Sequence, residues 1–482
     1  SEHSFDRPYV GDFDGDGQTD LVLHTPHQLT LFLATGPIVN HGRADRPRLE
    51  DAAAVYTAGM TGLGGAVWRD FLEHDRFFVA DFNGDGLDDL YVVNTEDYYH
   101  TYLGLLRSTG TGFELVHRYV NGIPGGSVPG GFPSPVEWVL SPTDQFFVAD
   151  FDGDGDEDLY VHGFACSWKI TLGFWRAVER DICLAWENGH FGMLRSDGTA
   201  HSVTPGLETI RRLSVNYYGL PIGKADELHV ADFDGDGRDD LYIVNLTDHT
   251  VPHLLMQRST GTSLAYAERY DLELPGWDDM RADDQFFVAD WDADGDEDLY
   301  VFNGVDWVVP YLGMLEAKQL GLVIAPGLSV SQVPALLAGT QLATAQLYAG
   351  GTVPYGDRLP GWGVHAQDQF YAADTNGDGA VDLYAVNTAD FATEYLGILQ
   401  SDGTSDGLET RAVHADRIGE WNLGATDQFV VANFNGGLGW DDLFVSNSEW
   451  FGLLRSRRSS VTNDAIYYHW IHTVEYHANG WW

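Results

Sequence analysis

One phrase recurs seven times along this chain: an apolar strand, an Asp-rich turn and a second apolar strand. The copies read VGDFDGDGQTDLVLH, VADFNGDGLDDLYVVN, VADFDGDGDEDLYVH, VADFDGDGRDDLYIVN, VADWDADGDEDLYVFN, AADTNGDGAVDLYAVN and VANFNGGLGWDDLFVSN. Their turns begin at Asp12, Asp81, Asp150, Asp232, Asp290, Asp374 and Asn433, spaced 58 to 84 residues apart. A unit of this size cannot bury its own apolar face, so successive units must stack. Each continues into a third apolar strand, as in YLGLLRSTGT, HFGMLRSDGT and WFGLLRSRRS, and then into a variable stretch that can supply a fourth. Seven four-stranded antiparallel units over residues 1–482 predict one all-β domain, a seven-bladed β-propeller. The first unit opens on its inner strand near Phe5 and the last ends with the chain, so closure by an exchanged strand is not apparent. An apolar content of 44% can fill the core of such a ring.

Other calcium-loop folds do not fit. Calcium-binding β-helices repeat about every nine residues. EF-hands need flanking helices and a Glu at loop position 12. Here position 12 is Leu23, Val92, Val161, Ile243, Val301 or Ala385, and the flanks alternate like strands.

The turns carry oxygen donors at fixed spacing. Loops 12–20, 81–89, 150–158, 232–240, 290–298 and 374–382 place them at positions 1, 3, 5 and 9. In the first these are Asp12, Asp14, Asp16 and Asp20; in the second, Asp81, Asn83, Asp85 and Asp89; in the third, Asp150, Asp152, Asp154 and Asp158. The fourth has Asp232, Asp234, Asp236 and Asp240; the fifth, Asp290, Asp292, Asp294 and Asp298; the sixth, Asp374, Asn376, Asp378 and Asp382. The backbone carbonyl at position 7 completes the expected set, at Gln18, Leu87, Asp156, Arg238, Asp296 and Ala380. Calcium takes six to eight hard oxygens, and Gly at position 6 permits the sharp turn that gathers them. Asp and Gly also favour ordinary turns, but ordinary turns do not repeat four oxygens at one spacing six times. About six structural calcium ions are expected, and magnesium, which keeps its waters, is not. Loop 433–442 has an extra residue and Gly437 where a carboxylate is needed, so it is expected to bind weakly or not at all.

The motif DxDGDGxxDLYV resembles the FG-GAP or VCBS repeat of integrin α-subunit propellers and of Psathyrella velutina-type propeller lectins. The resemblance spans nearly the whole chain. It implies a calcium-binding propeller in an adhesion, lectin or enzyme-attached setting, and leaves the ligand open.

Charge narrows the partners. With 73 acids against 26 bases the net charge is −47, and lysine occurs only at Lys169, Lys224 and Lys318. Nucleic acid and anionic membranes would be repelled; an acidic, Lys-poor surface also suits high salt. No apolar run is long enough to insert in a membrane. No signal peptide is visible at Ser1, and a mature or trimmed chain would lack one. Calcium sites of this design suit a secreted or cell-surface protein. Cys166 and Cys183 are compatible with an extracellular disulfide or with two thiols.

Metal hairpins between strands one and two would point to one face, which leaves the opposite face for a ligand. Trp68, Trp138, Trp277, Trp362 and Trp421 precede Asp75, Asp144, Asp284, Asp368 and Asp427 there. They could stack on sugar rings beside hydroxyl-accepting carboxylates, or pack between blades. A second row at the start of strand three includes Tyr102, His190, His253, Tyr311 and Tyr395. The insertion 163–188 holds Trp168, Trp175 and Arg176 and has no counterpart in the other units. The Asn-x-x-Asp repeats at Asn94, Asn245, Asn303 and Asn387 read as Asx turns, and Asn245-Leu246-Thr247 is a glycosylation sequon. The tail YYHWIHTVEYH reads as an aromatic outer strand rather than a zinc site.

Three functions follow. The first is a lectin-like binding module for a glycan or extracellular protein. The second is a polysaccharide lyase using His190, His253, Tyr311 and Arg176. The third is a structural part of an extracellular assembly, with the apolar segment Leu320 to Leu347 expected as a core helix. No GxSxG, HExxH or phosphate loop anchors a hydrolase or kinase reading.

Overall fold

A computed structural model describes residues 7–25, 28–35, 53–57, 71–95, 101–120, 143–165, 188–196, 207–214, 226–246, 252–271, 280–305, 310–319, 340–349, 361–387, 395–401, 407–415, 424–434, 440–447, 451–456 and 467–471, with short pieces between them. The repeating phrase becomes a tight antiparallel hairpin, register Gly11↔Asp20 in the first unit and Ala149↔Asp158 in the third. Strands three and four then extend each hairpin into a sheet of four.

The sheets follow one another along the chain. Blade one is Arg7–Gly11, Asp20–Thr25, Gln28–Phe32 and Ala54–Tyr56. Blade two is Arg76–Ala80, Asp89–Asn94, Tyr102–Ser108 and Phe113–Val120. Blade three is Gln145–Ala149, Asp158–Ala165, Asn188–Ser196 and Leu207–Ser214. Blade four is Glu227–Ala231, Asp240–Asn245, His253–Ser259 and Leu264–Asp271. Blade five is Gln285–Ala289, Asp298–Asn303, Tyr311–Gln319 and Thr340–Ala349. Blade six is Asp368–Ala373, Asp382–Asn387, Leu396–Ser401 and Leu408–His414. Blade seven is Gln428–Ala432, Asp442–Ser446, Phe451–Arg455 and Tyr467–Ile471.

Strand two is buried on both faces, as Asp89–Asn94 shows along its whole length, because every blade is sandwiched between two others. This explains its unbroken apolar run. An apolar cluster fills each seam between consecutive blades, and one more, with Leu21, Leu23, Phe434 and Phe444, joins blade seven to blade one. Among the described residues the ring therefore closes by packing between two self-contained sheets, with no exchanged strand.

Two expectations meet the structure here. Residues 340–347 of the apolar segment belong to the fourth strand of blade five, Thr340–Ala349, not to a helix, because Tyr311–Gln319 offers backbone partners along that strand; residues 320–339 lie outside the described residues. The aromatic tail does form an outer strand, Tyr467–Ile471. In the insertion 163–188, Lys169–Thr171 and Asp181–Cys183 pair as a two-stranded ribbon. Among the described residues no helix is long and apolar enough to cross a membrane.

Candidate metal centre

Each hairpin turn curls around its first aspartate. Asp150 Oδ1 accepts the amides of Gly153 at 2.8 Å and Asp154 at 3.2 Å, and Oδ2 that of Gly155 at 3.0 Å. Asp12, Asp81, Asp232, Asp290 and Asp374 accept turn amides in the same way. The position-5 carboxylates of Asp16, Asp85, Asp154, Asp236, Asp294 and Asp378 each accept the amide of position 7, that of Gln18, Leu87, Asp156, Arg238, Asp296 and Ala380 in turn. The position-6 glycines hold φ between 81° and 93°, where an L side chain is strained.

Position 9 is anchored from strand three. One oxygen of Asp89, Asp158, Asp240, Asp298 and Asp382 accepts a strand-three amide, and one of Asp20 the amide of Ala34 just beyond strand three, at 2.6 to 2.8 Å, and all six side chains are inaccessible to solvent. In Asp158, Asp240 and Asp298 the second oxygen is buried with no hydrogen-bond partner, as is Oδ1 of Asp152. In the other loops it is held by Phe13 N, by the Asn83 amide, or by Thr375. Burial first, and then the neighbouring aspartates, push the carboxyl of Asp158 up to about 10 and those of Asp89, Asp240 and Asp298 up to about 9.

A buried carboxylate oxygen without a donor is costly unless a proton or cation faces it. The donors that converge are all carboxylates. Asp12, Asp14 and Asp20 come within 4.8 Å of one another, as do Asp150, Asp152 and Asp158; Asp232, Asp234 and Asp240; and Asp290, Asp292 and Asp294. These residues fit a hard divalent cation, since an all-oxygen set matches the calcium class and offers no soft ligand for zinc. Asn83 and Asn376 give the second and sixth loops one charge fewer. Residues 435–439 of the seventh loop lie outside the described residues.

A second set of acids, at position 8, ties each hairpin to the one before it. The amide of Asp88 donates to Asp12 O at 2.9 Å, while the Asp88 carboxylate accepts Asp12 N at 2.6 Å. Glu157 clasps Asp81 in the same two-bond way, Asp239 clasps Asp150, Glu297 clasps Asp232 and Asp441 clasps Asp374. Val381 and Thr19 close the remaining seams through the main chain, onto Asp290 O and Asn433 O. Serine hydroxyls of strand three add a third tie, as Ser259 to Phe151 O at 2.5 Å. Sequence reasoning missed these acids because their partners lie 65 to 89 residues away; their one signal was an acid at position 8 in five of the seven units.

The opposite end of the blades holds a repeated brace. Asp75 accepts from Asn94 at 2.8 Å, from Leu72 N at 2.9 Å and from the Tyr102 hydroxyl. Asp284 takes the same bonds from Asn303, Arg281 N and Tyr311. Asp368 takes them from Asn387, His365 N and Trp362 Nε1, the last at 3.0 Å. These carboxylates, expected to await a sugar hydroxyl, are buried and already satisfied from within. Tyr102, Trp362, Tyr311 and His253 are likewise buried, which corrects their assignment to a ligand or catalytic surface. Trp362 lies in the seam between blades five and six with its ring against Gly397. Asn303 and Asn387 do make Asx turns, to Val305 N and Ala389 N. Asn245 is buried and donates to Asp226, so its sequon presents no accessible acceptor.

His190 enters strand three opposite Gly163, and Trp68 and Trp421 fall in short strands. The side chains of these three, together with Trp138, Trp168, Trp175, Arg176, Trp277 and Cys166, lie outside the described residues.

No protein-family model matches the chain, and no curated protein sequence does. Among solved structures, it aligns with a lectin of Agrocybe aegerita, described as specifically recognising non-reducing terminal N-acetylglucosamine, over 92% of this chain and 85% of that one, at 15% identity and a TM-score of 0.48. A second structure, of TcdB2-TccC3, aligns over 90% of this chain and 21% of that one, at 13% identity and a TM-score of 0.22.

Proposed function

We propose that this protein is a secreted, calcium-loaded propeller of the FG-GAP/VCBS type. In this reading it is a lectin-like binding module for a glycan or an extracellular protein. The observation that carries the metal half of the reading is the set of buried, partnerless oxygens on Asp158, Asp240 and Asp298, the first two each converging with two further aspartates and the third under the charge of Asp290, Asp292 and Asp294. Calcium in those turns would neutralise a ring of clustered acids and leave a rigid platform.

The binding half rests on the loops at the end away from the hairpins. A ring with its metals at one end presents its variable loops, including the insertion 163–188, at the other. The buried state of His253 and Tyr311 removes two of the four residues a lyase would need.

Thermal melting in millimolar calcium, in magnesium and in chelator tests the metal. Calcium at a hundredfold excess over its dissociation constant should add about 2.7 kcal/mol for each site filled; equal melting in all three solutions would refute the reading. A glycan array with Trp168→Ala and Trp175→Ala variants tests the ligand. Loss of a glycan signal with melting unchanged supports the lectin assignment, and a protein that binds no glycan on the array leaves that assignment without support.

A further inference from the structure

The six hairpins are not electrostatically equal: beyond the asparagines of the second and sixth, hairpins three, four and five differ through one residue of strand three. This residue precedes the amide that anchors the position-9 aspartate. In blade four it is Arg258, whose Nη1 lies 3.4 Å from Oδ2 of Asp234. In blade three it is Arg195, 3.7 Å from Oδ2 of Asp152. In both blades a guanidinium shares the position-3 carboxylate with whatever cation the turn holds.

Blade five has Glu316 at that register position, directly before Ala317, whose amide binds Asp298 at 2.7 Å. Its charge bears on Asp292, and its side chain is largely covered, 13% exposed. Its partner is Lys318 at 2.5 Å, which is half exposed. Asp298 meanwhile keeps an oxygen without a donor at the floor of the same turn. Glu316 thus adds a carboxylate to the acids of hairpin five, where Arg195 and Arg258 bring a guanidinium to those of hairpins three and four.

We propose that Glu316 makes hairpin five the dominant cation site of the ring, the first to fill and the one best suited to a trivalent ion. The inference rests on the metal reading above. Charge count is what tunes the affinity of oxygen-donor sites. A unit charge a few ångströms from the ion in a partly solvated setting shifts binding by about tenfold or more. Hairpin five is also the only one of the seven with an indole at position 2, Trp291, fully buried in the turn, so it carries its own sensitiser.

The test is a terbium titration of the full chain after chelation, read by indole-sensitised emission and in parallel by calorimetry. Emission should rise within the first equivalent. Trp291→Phe should abolish most of it while the calorimetric stoichiometry stays unchanged. Glu316→Gln should weaken the first binding step about tenfold. Arg258→Gln, in a different blade, should strengthen a later step and leave the first alone. An unaltered first step in Glu316→Gln, or full early emission in Trp291→Phe, would overturn the assignment. Absence of heat and emission at every ratio would instead overturn the metal reading itself.

Discussion

His24 and His162 lie in the second strands of blades one and three, 2% and 1% exposed. The imidazole of His24 packs 4.8 Å from Phe77. Burial lowers both to about 4, with Arg7 adding to the effect at His24. Their folded values lie below the unfolded one, so the stability tied to the neutral ring is complete above about 6.5 and is lost as pH falls toward 4. At pH 5 each histidine should cost about 2 kcal/mol. Urea unfolding at pH 7 and pH 5 in saturating calcium checks this: His24→Leu should lose about 2 kcal/mol less than the parent between the two. At this scale the ligand aspartates were legible in the sequence, because metal spacing is local. Asp75 and Tyr102 were not, because an acid beside an aromatic looks the same whether it faces a sugar or another side chain.

The hairpin is the element that repeats most faithfully, and its glycines do two different things. Position 6 needs only its positive φ, for a side chain there would meet open space. Position 4 needs φ and room together. Gly153 has φ 74°, and a β-carbon on it would stand 2.9 Å from the carbonyl of Gly237 in the next hairpin. Gly153→Ala should therefore destabilise the ring by about 1–3 kcal/mol, whereas Ala293→Gly, at the one described non-glycine residue with positive φ, should be neutral or slightly stabilising. Thermal melts of the two variants make the comparison. The turn chemistry was readable from glycine and aspartate alone; the two-bond clasp from Glu157 to Asp81 was not, since it is made between elements and leaves no periodicity within either.

In the whole molecule the clasps run unbroken from blade one to blade five and again from six to seven, with single main-chain bonds at Val381 and Thr19. Hydrogen exchange should show the amides of Thr19 and Val381 opening before those of Glu157, Asp239 and Glu297. The raised carboxyls add a pH signature. Asp89, Asp158, Asp240 and Asp298 sit well above their ordinary value of 3.8, so without cations the ring is favoured by their protons and loses that support as pH rises through about 9. Melting in chelator should fall from pH 7 to pH 9, and calcium should abolish the fall; parallel slopes would show that no cation replaces those protons.

Because blade one and blade seven each draw all four strands from one uninterrupted stretch of chain, the circle has no privileged cut. Joining Ile471 to Arg7 through a flexible tether and reopening the polypeptide between any other two blades would leave every strand beside its present neighbours. Sequence order and spatial order are thus separable here, and a permuted gene should yield the same object with its ends elsewhere on the rim.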